Sequence, residues 1–415
     1  MNRLLLAIVF LIPVSSTVLA QSDVDTSFQF HNGYRSPIDT NASQNATLCE
    51  EDECPHDSET PYFLMRSLAG TRLGNFLINR QINVYGWTEG AFTASTASTT
   101  QLPLGFNYRA NDFLLQQNWL RVERAINPDA PHPTFGFRSD TILPGSDYRF
   151  TVARGLADGQ TGSHGFDPVQ FYGQAYLPQF GQGLDVKAGR FFGQYGVESI
   201  AGIDTPFVSR AYNFIYNPFT HTGLLTTLKL NDCWTVQNGI VTGSDVFFDS
   251  AAEPTYIGSL KWDSPDQQSS LSLAAIVGSG RFNIVDDFSN PQVFDLVYNR
   301  QLRENLSYTL NALYGFQTNV PGIGTANWYA FVNYLTYQWS EQVSSTTRLE
   351  FFDDVKGDRT GFEGLYTAIT TGLSYQPGRN LLFRPEIRYD YNDSSRPFDN
   401  RSGLFTAAFD FIVRW

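Results

Sequence analysis

The stretch Leu404-Phe405-Thr406-Ala407-Ala408-Phe409-Asp410-Phe411-Ile412-Val413-Arg414-Trp415 decides how the rest of the chain is read. Its odd positions from Phe405 to Trp415 are all apolar, while Thr406, Asp410 and Arg414 fall on even ones. Side chains alternate across a strand, so this segment has one greasy face and one mixed face. A soluble sandwich turns the greasy face into a core. A closing strand of an outer-membrane barrel turns it to lipid and the polar face to a lumen, with Trp415 at the membrane interface.

The pattern repeats upstream. In 381–391, Leu381, Phe383, Pro385, Ile387, Tyr389 and Tyr391 share a face opposite Arg384, Glu386, Arg388 and Asp390. In 343–352, Val343, Leu349 and Phe351 oppose Ser344, Thr346, Arg348 and Glu350; 306–317 alternates likewise. Counting back from Trp415 predicts sixteen strands, the first near 81–94 and 112–126, where the two faces are mixed. The links alternate in length. Short ones such as 376–379, 339–341 and 231–232 fall between longer ones such as 392–402, 353–363, 317–325 and 193–221. Short turns at one rim and long loops at the other predict an all-β, antiparallel up-and-down transmembrane barrel of the porin type, spanning 81–415. A barrel of this size encloses water rather than a filled core.

Composition agrees. Aromatic residues make up 15% of the 415, with 34 Phe, 21 Tyr and 34 Gly, which suits strands, tight turns and interfacial girdles. Mean hydropathy is −0.25. Residues 1–20 read as a signal peptide: Arg3, an apolar run from Leu4 to Val14, then Val18-Leu19-Ala20 before Gln21. Residues 21–80 form a polar leader with a short amphipathic helix expected within 61–79. In an exported chain Cys49 and Cys54 are placed to form a disulfide around Glu50-Glu51-Asp52-Glu53, a metal clasp being the rival; Cys233 reads as a small strand residue. The net charge of −13 argues against nucleic acid or anionic surfaces as partners.

From about Asn75 to Trp415 the chain resembles the OmpL-like beta-barrel porin family of bacterial envelopes. The resemblance rests on Ile82-Asn83-Val84-Tyr85-Gly86-Trp87, Ser209-Arg210-Ala211-Tyr212, Pro218-Phe219-Thr220-His221-Thr222-Gly223, Arg348-Leu349-Glu350-Phe351-Phe352-Asp353-Asp354, Gly361-Phe362 and Leu382 to Asp390. It implies a pore in the outer membrane, with no substrate, cofactor or catalytic residue attached.

Three candidate sites follow. Arg348, Glu350, Arg384, Glu386, Arg388 and Asp390 are expected to line the pore, either tuning ion preference or keeping the wall wet and in register. The link 193–221, rich in apolar residues, is expected to fold inward as a constriction. Its Glu198, Asp204, Phe207, Arg210, Tyr212 and His221 are the candidate residues, with Glu198 and Asp204 facing the arginines across the pore. Asp353-Asp354-Val355-Lys356-Gly357-Asp358 reads as an external turn with solvated charges, since it lacks EF-hand spacing. The five histidines are expected in loops or the leader, and no partner motif accompanies His221, so an enzyme is the third reading. The first is a diffusion pore for small hydrophilic solutes. The second is a non-conducting barrel, an adhesin or envelope anchor. The expected partners are outer-membrane lipid and the barrel-assembly machinery, through the strand ending at Trp415. The sequence leaves trimer or monomer open, and no cofactor or metal is expected.

Overall fold

The computed structural model describes residues 62–415. The signal peptide, most of the leader and the Cys49–Cys54 pairing lie outside these residues.

Sixteen antiparallel strands close into one barrel in sequence order, β16 returning to β1. The first five are β1 (Asn83–Ser95), β2 (Asp112–Arg124), β3 (Thr134–Gly145), β4 (Gly165–Leu177) and β5 (Leu184–Phe192). Then come β6 (Thr220–Lys229), β7 (Trp234–Val241), β8 (Thr255–Asp263), β9 (Ser269–Val277), β10 (Gln292–Arg303) and β11 (Leu306–Val320). The last are β12 (Gly324–Ser340), β13 (Val343–Asp354), β14 (Gly364–Gly378), β15 (Leu381–Asn392) and β16 (Gly403–Arg414).

The alternation of the sequence becomes the alternation of the wall. On β15 Ile387 is 54% exposed on the outside, while its neighbour Arg388 is 1% exposed on the inside. The seam is closed by backbone pairing from Trp87↔Arg414 to Ser95↔Thr406. Trp415 exchanges backbone bonds with Gly86 and donates its indole N–H to Thr88 Oγ1 at 3.2 Å. A Cβ on Gly86 would stand 2.6 Å from the Trp415 ring, so only glycine lets the indole lie flat on β1.

Five details differ from the sequence reading. The expected helix is two: α1 (Phe63–Leu68) and α2 (Arg72–Asn79), broken at Gly70, whose φ is +79°. The link expected at 317–325 shrinks to 321–323, because β11 and β12 run on as a projecting hairpin with Gly322 and Gly324 at positive φ in its turn. His221 is the second residue of β6 rather than a loop residue, and Cys233 sits in the β6–β7 turn. Asp354 is not solvated: it is buried and accepts N–H bonds from Arg359 and Thr360, tying its turn together.

Candidate functional site

The longest link, 193–219, folds into the lumen. Its apolar residues require this: Val197, Ile200, Phe207, Val208, Ala211 and Tyr212 are all buried, and a loop in water leaves them exposed. A 3₁₀ turn (Gly202–Asp204) and one turn of helix, α3 (Tyr212–Ile215), punctuate the segment.

The inner face of β13–β16 holds it through arginines. Arg348 reaches Glu198 Oε1 at 2.6 Å and Glu350 Oε1 at 2.8 Å, and donates to the Ser209 carbonyl at 3.0 Å. Arg388 contacts Glu350 at 3.0 Å and Asp390 at 2.8 Å, and donates to the Arg210 carbonyl at 3.1 Å. Arg384 pairs with Asp410 on β16 and donates to the Gly202 carbonyl at 2.7 Å. Acceptors complete the clamp. Glu386 takes the backbone N–H groups of Val208 at 2.8 Å and Ser209 at 3.2 Å. Glu350 takes the N–H of Tyr212 at 2.9 Å, and Asp390 takes the Tyr212 hydroxyl at 2.9 Å. Charge-assisted bonds of this kind are about twice as strong as neutral ones. Burial beside Asp390 holds the Tyr212 phenol well above its ordinary pKa, so it acts as a donor.

Other strands hold the same segment through one acid, Asp295, and several amide and hydroxyl groups. Gly196 donates its N–H to Asp295 on β10 at 3.0 Å, and the Asn213 amide donates to Asn311 on β11. Tyr334 on β12 donates to Glu198 at 3.1 Å, and Gln237 on β7 to Gln194 at 3.2 Å. On β2, Gln117 donates to the Ile200 carbonyl at 2.6 Å and accepts from Gly202 at 3.0 Å. The segment thus crosses the lumen and is fastened to strands on several sides of it.

All six candidate wall residues point inward and meet the segment. The expected geometry across open water is not what links them: Glu198 and Arg348 are in contact. Burial raises the pKa of Asp204, against the opposing pull of Arg121, Arg414 and Arg138 rather than of the clamp arginines. Phe207 lies under the Arg348 guanidinium, 4.9 Å from it. His221 is locked at the segment's exit, one ring nitrogen 2.9 Å from the Gly243 carbonyl and the other 3.3 Å from the Tyr195 hydroxyl. Sequence reasoning missed Glu89, Gln117, Asp295, Asn311 and Tyr334. Asp410 was visible as the lone acid on the polar face of the last strand. Among the described residues, no group of three or more His, Cys, Asp or Glu is placed to hold a metal ion.

Comparison with solved structures shows the same fold at low identity. The outer membrane channel DcaP of Acinetobacter baumannii superposes with a TM-score of 0.54 at 10% identity, covering 80% of this chain and 96% of that one. The trimer form of OmpT from Vibrio cholerae gives 0.55 at 10% identity, covering 80% and 99%. Pseudomonas putida OprB gives 0.54 at 13% identity, covering 83% and 96%. A search of curated protein sequences finds no match. The family model described as "Putative beta-barrel porin-2, OmpL-like" matches residues 81–414, the whole barrel, and the chain belongs to that family.

Proposed function

We propose that this protein is a channel of the bacterial outer membrane through which small hydrophilic solutes diffuse, with 193–219 as its constriction. One observation supports the reading: a polar inner wall, closed by sixteen strands, grips an inward-folded segment. Arg348, Glu350, Arg384, Glu386, Arg388 and Asp390 act in this reading as the clamp, which sets how far the constriction reaches into the lumen. Long links face the cell exterior and short ones the periplasm, as barrels of this class are built. Assembly as a homotrimer is compatible with this reading. Replacing Asp204 to Tyr216 by a short Gly/Ser linker is expected to raise single-channel conductance in planar bilayers. A linker variant that folds and conducts like wild type removes the segment from the constriction.

A second reading has its own support, the fastening of the segment to strands on several sides of the lumen. In it the barrel conducts nothing and serves as an envelope anchor. Wild-type protein that stays silent in bilayers while the linker variant conducts would establish that reading.

A further inference from the structure

Two short helices lead into the barrel wall, and neither reading of the lumen uses them. α1 (Phe63–Leu68) and α2 (Arg72–Asn79) are held to the short-turn rim at both ends. At one end the Tyr62 ring stacks on Tyr85 of β1, centroids 4.8 Å apart, with the Arg379 guanidinium of the β14–β15 turn 4.5 Å over it. At the other end α2 runs straight into β1. Gln81 takes a φ of +56°, and the N–H groups of Gln81 and Ile82 bond back to the Ile78 and Leu77 carbonyls, each at 2.9 Å. Thr71 caps α2 by accepting the Gly74 N–H at 3.0 Å. The helices touch: an added Cβ on Gly74 would stand 1.9 Å from the Leu68 carbonyl oxygen.

This fixed pair buries one face and leaves another bare. Met65, Gly74 and Leu77 are buried, whereas Phe63, Leu73 and Phe76 are 60%, 55% and 54% exposed. Neighbouring large apolar side chains left open to this degree mark a contact surface. Charge points to what covers it. The chain as a whole carries −13, yet residues 62–82 hold Arg66, Arg72 and Arg80 and no acid, and all three arginines are exposed. Arg379 and Arg414 stand on the same rim, Arg414 donating to the Arg379 carbonyl at 3.2 Å. Height points the same way. Gly86, on which the Trp415 ring lies, is three residues into β1, about 10 Å along the strand from its start. A tryptophan on the outer wall marks the level of the lipid headgroups, so α2 ends close to that level. The rival cover nearest in sequence is 49–60, with six acids and no large apolar side chain. Such a stretch meets arginines but cannot cover Phe63, Leu73 and Phe76.

We propose that α1 and α2 form an interfacial anchor on the membrane leaflet at the short-turn rim, with Phe63, Leu73 and Phe76 among the acyl chains and Arg66, Arg72 and Arg80 on the headgroups of anionic phospholipid. A helix with an apolar face and a basic polar face lies in the plane of the interface, its apolar side about 5–10 Å into the headgroup and acyl boundary. Arginines beside an anionic leaflet are drawn to it. Helices this short bind a bilayer weakly by themselves. Here β1 already holds them at its surface, so each contact forms at high effective concentration. In the orientation proposed above the leaflet is the periplasmic one. The anchor does not depend on whether the lumen conducts.

The test uses the full chain with Cys49, Cys54 and Cys233 changed to Ser, carrying a nitroxide at Phe76→Cys, at Leu73→Cys or, as the polar control, at Asn75→Cys. The protein is placed in vesicles of phosphatidylethanolamine with or without phosphatidylglycerol. Collision of the nitroxide with oxygen, which concentrates in lipid, is compared with collision with a neutral nickel chelate, which stays in water. In vesicles containing phosphatidylglycerol, the oxygen-to-nickel ratio at Phe76→Cys and Leu73→Cys is expected to exceed that at Asn75→Cys several-fold. Leaving out phosphatidylglycerol, or changing Arg66, Arg72 and Arg80 together to Gln, is expected to lower the ratio at both apolar sites. A ratio at the apolar sites equal to that of Asn75→Cys places them in water and overturns the anchor. Few collisions with either reagent at both apolar sites mean that protein covers the face, whether the chain's own leader or a second copy, and overturn it too. A high ratio that ignores both phosphatidylglycerol and the arginine changes overturns the anionic headgroup as the partner.

Discussion

The inner face of β13–β16 and the inner face of β1–β2 touch the same segment and differ in how completely they are satisfied. On the first, Arg348, Arg384 and Arg388 each hold a carboxylate and a backbone carbonyl of the segment. On the second, Glu89 and the facing Arg210 keep side-chain atoms without a partner. A wall whose three inward arginines are all paired is a fixture. A wall with bonds unmade grips the segment less completely. Glu89 stands at the border, with one oxygen 3.4 Å from Arg384 and the other free.

The contrast breaks first where it is strongest. Arg348→Ala leaves Glu198 buried without its cation and Glu350 with Arg388 alone, and is expected to cost about 3–5 kcal/mol. Denaturant titration in detergent measures it, and a loss near zero would mean the clamp is not a fixture. Asp147 gives the second test, through pH. Burial pushes its carboxyl up to about 7, against the pull of Arg210, from an ordinary 3.8. The folded state then holds its proton more tightly than the unfolded state does. The associated stability is full below about pH 3.8 and is lost as pH rises through about 7. Asp147→Asn is expected to flatten that part of the stability–pH curve. An unchanged curve would show that another group titrates there.

Gly202→Ala drives a methyl into Glu89 and must push the segment off β1, at about 1–3 kcal/mol. Its sharper reading is conductance, which should change more than stability does. The smallest effect belongs to the seam, away from both inner faces. Trp415→Ser loses the bond to Thr88 and the ring on Gly86, worth about 1 kcal/mol, and leaves solute permeation as it was. A permeation change there would mean that the seam and the lumen are coupled.

Most of the frame was legible because its signals are local. Period-two alternation and turn residues sit within one strand or link, and every strand from β1 to β16 lies near its expected place. The inward fold of 193–219 was legible from its apolar content. The pairing inside the lumen was not. Val208 and Glu386, joined at 2.8 Å, are 178 positions apart, and no local pattern announces such a contact. The β1–β2 faces were blurred for a physical reason. The register slips between Glu89 and Gly90, so that Gln116 and Gln117 are both buried. Inward apolar residues such as Trp87, Trp119 and Ile142 added to the blur. They pack against Ile200 and Ala201 of the crossing segment, which gives the lumen an apolar layer that an open pore lacks.

The distance in sequence between the segment and its clamp also orders the birth of the molecule. Residues 193–219 are made and threaded early, yet Arg348, Arg384, Glu386 and Arg388 belong to strands near the end of the chain. Such late partners carry a large loop-closure cost until the strands between them have paired. The crossing segment can lock only once β13 to β15 stand in the wall, and Arg384 takes its own partner, Asp410, from β16, the strand that seals the ring. Ring closure and locking of the lumen are then successive moments of a single maturation step, and an unfinished barrel holds its segment unlatched.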